Sequence, residues 1–161
     1  MLSRILVPLD GALAAAEVLG ALRHLVGGTG AVAHLLLVRP PVRGPERRGD
    51  RTIYLDELLR EEEAAGRDYL AREGSQLAFD GVIVRPAVRF GDPPAETLAA
   101  AARHAVQLIA VAAPHQTAAA RLLRPSLADQ LRARVAVPIL TVVPVQARAT
   151  SLLCRYGSVP V

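Results

Sequence analysis

The sequence predicts a single α/β domain: a doubly wound, five-stranded parallel sheet of order 3-2-1-4-5 with helices on both faces. Three observations predict it. Five short apolar runs alternate with stretches of helical period, Gly, Pro and Asp fall at the junctions, and the apolar content is aliphatic. A chain of 161 residues suits one core and buries roughly two thirds of the surface its unfolded form exposes. Hydrophobic residues make up 52% and aromatics only 3%, so the core must be built from small aliphatic pieces that let helices lie close on a sheet.

Residues 4–9, Arg-Ile-Leu-Val-Pro-Leu, read as a buried parallel strand with Pro8 near its end. Val18, Leu22, Leu25 and Val26 recur at helical spacing within a helix from Ala12 to Val26, and the run Gly27-Gly28-Thr29-Gly30 stops it. Ala31 to Val38 is the second strand. The Pro-, Gly- and Arg-rich stretch after it, 39–53, is expected as a mobile loop. From Tyr54 to Leu77, Leu55, Leu58, Leu59, Tyr69, Leu70 and Leu77 line one side of a long amphipathic helix that Gly66 and Gly74 weaken locally. Val82 to Phe90 is strand three. Gly91-Asp92-Pro93-Pro94 then sets a capping Asp before a proline suited to a first helical turn, which opens a helix through Leu98 and Ala101. Gln107 to Ala113 is strand four, Ser126 to Arg134 a helix, and Val137 to Val143 the last strand. The domain so defined spans 1–144, and 145–161 reads as a C-terminal tail.

Several function classes are excluded. The net charge of +4 comes wholly from arginine, since the chain has no lysine; the arginines are interleaved with acids and few aromatics accompany them, so no nucleic-acid partner is expected. Cys154 is the only cysteine, too few for a disulfide or a Cys-based zinc site. His24, His34 and His104 sit on different elements without carboxylates at ligand spacing, so no metal is expected. Glu96, Arg103, His104 and Gln107 interrupt the most Ala-rich stretch, so no membrane span is expected. The segment Met1 to Asp10 is too short and ends too polar for a secretory signal, which points to the cytoplasm. No Gly-x-Ser-x-Gly elbow, phosphate-loop lysine or paired catalytic carboxylates appear, so no catalytic residue is assigned and an enzyme is not the favoured reading.

In a sheet of this order, ligands enter beyond the carboxyl ends of strands one and four, where the winding reverses. The segments to interrogate are therefore Pro8–Gly11 and Ala112–Ser126. These resemble universal stress proteins: Ile5-Leu-Val-Pro-Leu-Asp-Gly11 is similar to that family's opening strand with its Val-Pro-x-Asp ending, Val38 closes strand two, Gly91-Asp92-Pro93 precedes helix three, and Val137-Pro-Ile-Leu-Thr-Val-Val143 looks like its last strand. The likeness covers about residues 2–144 and implies the adenine-nucleotide α-hydrolase-like fold. Nucleotide-binding members carry, after strand four, a Gly, two residues, a Gly, nine residues, then Gly followed by Ser or Thr. Bare backbone lets amides approach ribose and phosphate. Here the three glycine positions fall at Ala112, His115 and Pro125, and only Ser126, followed by Leu127, is retained. Pro125 brings no amide hydrogen, and Ala112 and His115 add bulk. On the adenosine side the resemblance keeps Asp10, against the adenine, and Val38, whose backbone supports it; Pro8 leads into the site and Leu9 stands where many binders carry a small polar residue.

Each of these residues has a plainer role. Asp10 could cap the helix beginning at Ala12, and Ser126 with Asp129 has capping-box spacing. Thr117, Arg121 and Arg124, with His115, make the strand-four loop basic, able to hold an anion through side chains or to be simply solvated. The resemblance implies a regulatory or binding module, homodimeric through the last strand, 137–143, with an unidentified protein partner, no required cofactor, and weak or absent ATP binding. The alternatives are a functional binder of adenine nucleotides (ATP, AMP or cyclic AMP) and a nucleotide-hydrolysing enzyme of the same fold, although Asp10-Gly11-Ala12-Leu13 is not the glycine-rich loop such an enzyme needs. A phosphorylated receiver domain would need a late lysine, which the chain lacks.

Overall fold

A strand whose successive side chains are all buried must be covered on both faces. Ile5, Leu6 and Val7 meet that condition, as do Leu35, Leu36 and Leu37, and again Leu108 to Val111. In the computed structural model, which describes residues 2–9, 15–113 and 126–143, these runs are the three inner strands of one sheet. The elements in chain order are β1 (Arg4–Leu9), α1 (Ala15–Val26), β2 (Val32–Arg39), β3 (Glu46–Arg48), β4 (Arg51–Ile53), α2 (Leu55–Phe79), β5 (Ile83–Phe90), α3 (Pro93–His104), β6 (Leu108–Ala112), α4 (Leu127–Arg132) and β7 (Ile139–Val142). The main sheet has the order β5-β2-β1-β6-β7, all neighbours parallel. This is the expected 3-2-1-4-5 winding.

The alternation of side chains along each strand divides the core in two. Ile5, Val7, Leu35 and Leu37 meet Val18 and Leu22 of α1 and Leu70 and Leu77 of α2 on one face. Leu6, Leu36, Ile109 and Val111 meet Ala100 and Ala101 of α3 and Leu131 of α4 on the other. The alanines of α3 keep that helix close to the sheet, as the aliphatic composition requires. Gly66 and Gly74 serve the same end on α2. A Cβ at Gly74 would stand 2.8 Å from Val84 Cγ1, and one at Gly66 2.8 Å from Val88 Cγ2. What the sequence shows as weak points in a helix are contact points with the sheet.

Within 39–53, where the sequence reads as a loop, β3 and β4 pair antiparallel across Gly49-Asp50, with Gly49 at φ 63°. Gly-Asp between two short runs is a hairpin signal, obscured here by the charge of both strands. The hairpin is tied to α2 by ion pairs from Arg48 to Glu61 (3.0 Å) and from Arg51 to Glu57, and Ile53 is buried beneath it.

Helix α3 starts as its sequence dictates. Asp92 Oδ2 accepts a hydrogen bond from the Ala95 amide at 3.1 Å, Pro93 and Pro94 open the first turn, and buried Thr97 donates its hydroxyl to the Pro93 carbonyl at 2.7 Å. Asp92→Ala is expected to lower stability by about 1 kcal/mol, seen as a lower urea midpoint at unchanged slope, with Asp92→Asn close to the parent.

Candidate functional site

The winding reverses between β1 and β6, so the switch point falls at the two strand ends where the sequence places a ligand crevice. Backbone chemistry limits the pairing of β1 and β6 there. Ser3 accepts a hydrogen bond from the Val32 amide and Arg4 from the Gln107 amide. Odd-numbered residues of this strand therefore turn their backbone groups to β2 and even-numbered ones to β6. Pro8, with no N–H, faces β6. Pairing with β2 runs through all six positions to Leu9↔Leu37, whereas pairing with β6 stops at Leu6↔Ile109. Proline in a central strand would ordinarily argue against the strand; here it falls where the ladder to β6 ends.

The described site residues are carried by β1, β2, β6 and α4. Leu9 is buried, level with Leu37, which puts half-buried Val38 one residue beyond it on β2. Ala112 ends β6 opposite Val142, and the Ala113 amide donates to the Val142 carbonyl at 2.7 Å. Ser126 is buried at the start of α4, and Leu127, half-buried, packs against the core of the α3–α4 face. Asp10, His115, Thr117, Arg121, Arg124 and Pro125 lie outside the described residues.

Ser126 is fully engaged. Its hydroxyl accepts from the Asp129 amide (3.2 Å) and donates to Asp129 Oδ2 (2.6 Å), which also accepts from the Ser126 amide (3.3 Å). This is the reciprocal capping box the spacing predicted, with Asp in place of the longer Glu or Gln. The box occupies the Ser126 and Asp129 amides and sets a carboxylate at the start of α4.

Two further polar atoms on the elements flanking the crevice were not singled out in the sequence. Glu17 in the first turn of α1 has a buried Oε2 with no hydrogen-bond partner among the described residues, and so has Arg39 Nε, next to Val38, which lies 3.9 Å from Glu62 Oε2. Neither belongs to a recognisable spacing, so no sequence signal marked them. Among the described residues no group of three His, Cys, Asp or Glu side chains is placed to hold a metal ion. No helix among them is long and apolar enough to cross a membrane.

Comparison with known proteins converges on one family. The sequence profile of the universal stress protein family matches residues 1–143. A universal stress protein from Burkholderia pseudomallei superposes with a TM-score of 0.62 at 25% identity, covering 87% of this chain and 95% of that one. A universal stress protein in complex with cAMP gives 0.67 at 16% identity, over 88% and 97% of the two chains. One from Archaeoglobus fulgidus in complex with dAMP gives 0.58 at 11% identity, over 88% and 98%. No curated protein sequence matches the chain.

Proposed function

Because the chain belongs to the universal stress protein family, we propose that it acts as a cytoplasmic binding and regulatory module, a homodimer with weak or absent ATP binding, and not as an enzyme. The observation that carries this reading is the Ser126–Asp129 box. A triphosphate needs bare amides and positive potential at the start of that helix, and this chain puts a carboxylate there. The loop leading to it supports the same reading, because Ala112, His115 and Pro125 stand where nucleotide-binding members keep glycine.

On the adenosine side the family's residue types are kept at Asp10 and Val38, and Pro8 leaves β1 without an amide donor beside them. A second reading, a binder of adenine monophosphates, draws support from the fold neighbours solved with cAMP and dAMP. These ligands carry one phosphate and ask less of the altered loop. Isothermal titration of nucleotide-stripped protein separates the two. The expected result is no magnesium-dependent ATP binding tighter than about 100 μM. Tight, magnesium-dependent ATP binding would overturn the proposal, and binding of AMP or cyclic AMP alone would select the second reading. Silence towards all three would leave a role exercised through a protein partner.

A further inference from the structure

At the end of the sheet opposite the crevice, three strands and one helix bring four cationic or protonatable side chains together. The register fixes the row. Leu6 is level with His34, and His34 with Arg85. Partners in a parallel pair point to the same face, and Arg4, two residues before Leu6, shares it. Leu6 packs in the α3–α4 core, so Arg4, His34 and Arg85 stand on the α3 side. The end of α3 closes over them. His104 stacks on His34 with ring centroids 4.0 Å apart and planes 18° from parallel, and Arg4 Nε donates to the Ala105 carbonyl at 3.0 Å.

The groups acting on His34 come from each neighbouring element: His104 from α3, Arg85 from β5 and Arg4 from β1. None is acidic. Burial first, then these three neighbours in that order, hold the His34 imidazole below its ordinary range. No carboxylate pairs with any of the four among the described residues, and both Nη atoms of Arg4 and the Arg85 guanidinium make no hydrogen bond there. The α3 C-terminus contributes partial negative charge, and Arg4 already uses one of its carbonyls.

We propose that Arg4, Arg85, His34 and His104 form a proton-linked binding site for a phosphate-type oxyanion, separate from the nucleotide crevice. Protonating two face-to-face imidazoles is unfavourable without a counter-ion, and the guanidinium groups beside them add to that repulsion. An oxyanion offsets it, accepting from the guanidinium donors and from imidazolium N–H groups. Proton uptake and anion binding then favour each other reciprocally. The ligand is either free phosphate or a phosphomonoester on a small molecule, since the donors read only the oxyanion.

Proton NMR of the histidine ring signals, followed against pH in phosphate and in chloride at matched ionic strength, tests this. Phosphate is expected to raise the midpoints of His34 and His104 by roughly half a pH unit or more, with His24 on α1 unmoved as the internal control. Glycerol phosphate in a parallel arm ranks a phosphomonoester against the free ion. Arg85→Gln and Arg4→Gln should each abolish most of the phosphate effect while the far-ultraviolet circular dichroism spectrum stays unchanged. Identical titrations in phosphate and chloride, or a full phosphate effect in Arg85→Gln, would overturn the assignment. Neither result bears on the crevice, which these residues do not line.

Discussion

Gly74→Val is expected to destabilise the fold by about 2–3 kcal/mol, measured as a lower urea midpoint. A Cβ alone at this position would come within 2.8 Å of Val84 Cγ1 and 2.9 Å of Leu35 Cδ1. Leu35 is wholly buried, and valine has a single stiff χ1 with no second torsion to swing its methyls aside. The helix must therefore lift from the sheet, loosening the packing around Leu70 and Leu77. Substituting Gly20 on α1 provides the contrast, because nothing lies within 4 Å of its added Cβ. Gly20→Ala should stabilise by about 0.5–1 kcal/mol, the ordinary helical preference for alanine. If Val84→Ala restores most of what Gly74→Val loses, the clash is the cause. Equal costs in the presence and absence of Val84 would assign the loss to the helix itself.

Ile139→Asp is expected to convert the proposed homodimer to monomers, with the mass by light scattering falling by half. The two edges of the sheet differ in a way that selects this one. On β5, the Ile83 amide bonds back to Ala31, so residues of opposite parity face outward, and Pro86 is among them. A proline there blocks a second copy from pairing along that edge. On β7, the carbonyls of Pro138 and Val142 face β6, which turns the backbone groups of Ile139, Thr141 and Val143 outward with no proline among them. Val143 is 69% exposed and all four β7 side chains are half-buried, leaving apolar surface for a two-fold partner to cover. Ile139 also packs against the α3–α4 core, so Thr141→Pro serves as a second variant: it removes an outward amide and spares the ladder to β6. An unchanged mass in both folded variants would take β7 out of the interface.

The fold was legible because inner strands of a parallel sheet must be apolar on both faces, and Ile5-Leu6-Val7 and Leu35-Leu36-Leu37 announce that without any partner in view. Helix boundaries came within a few residues wherever a cap wrote them, as at Asp92 and Ser126. The β3–β4 hairpin escaped because its strands are charged and anchored by ion pairs to α2, a contact distant from the local pattern. Gly66 and Gly74 misled for a related reason, since local propensity records their cost to a helix and not the valines that approach them from β5. At the switch point, the sequence placed β1 beside β6 and gave the spacing of the Ser126 box. It could not reveal that Pro8 ends one ladder while leaving the other intact, because that depends on which neighbour each amide faces. The cationic row of Arg4, His34 and Arg85 was hidden altogether, being assembled by register from three strands far apart in the chain.

The proline in β1 has a consequence for the switch point of this domain. The ring nitrogen of Pro8 can never donate, so no main-chain hydrogen bond from this residue can tie β1 to β6 near the switch point. A ligand entering there would have no such bond to break, and selectivity would rest with the residues around the two strand ends. Substitutions around the switch point can therefore retune or extinguish nucleotide recognition without restoring that bond.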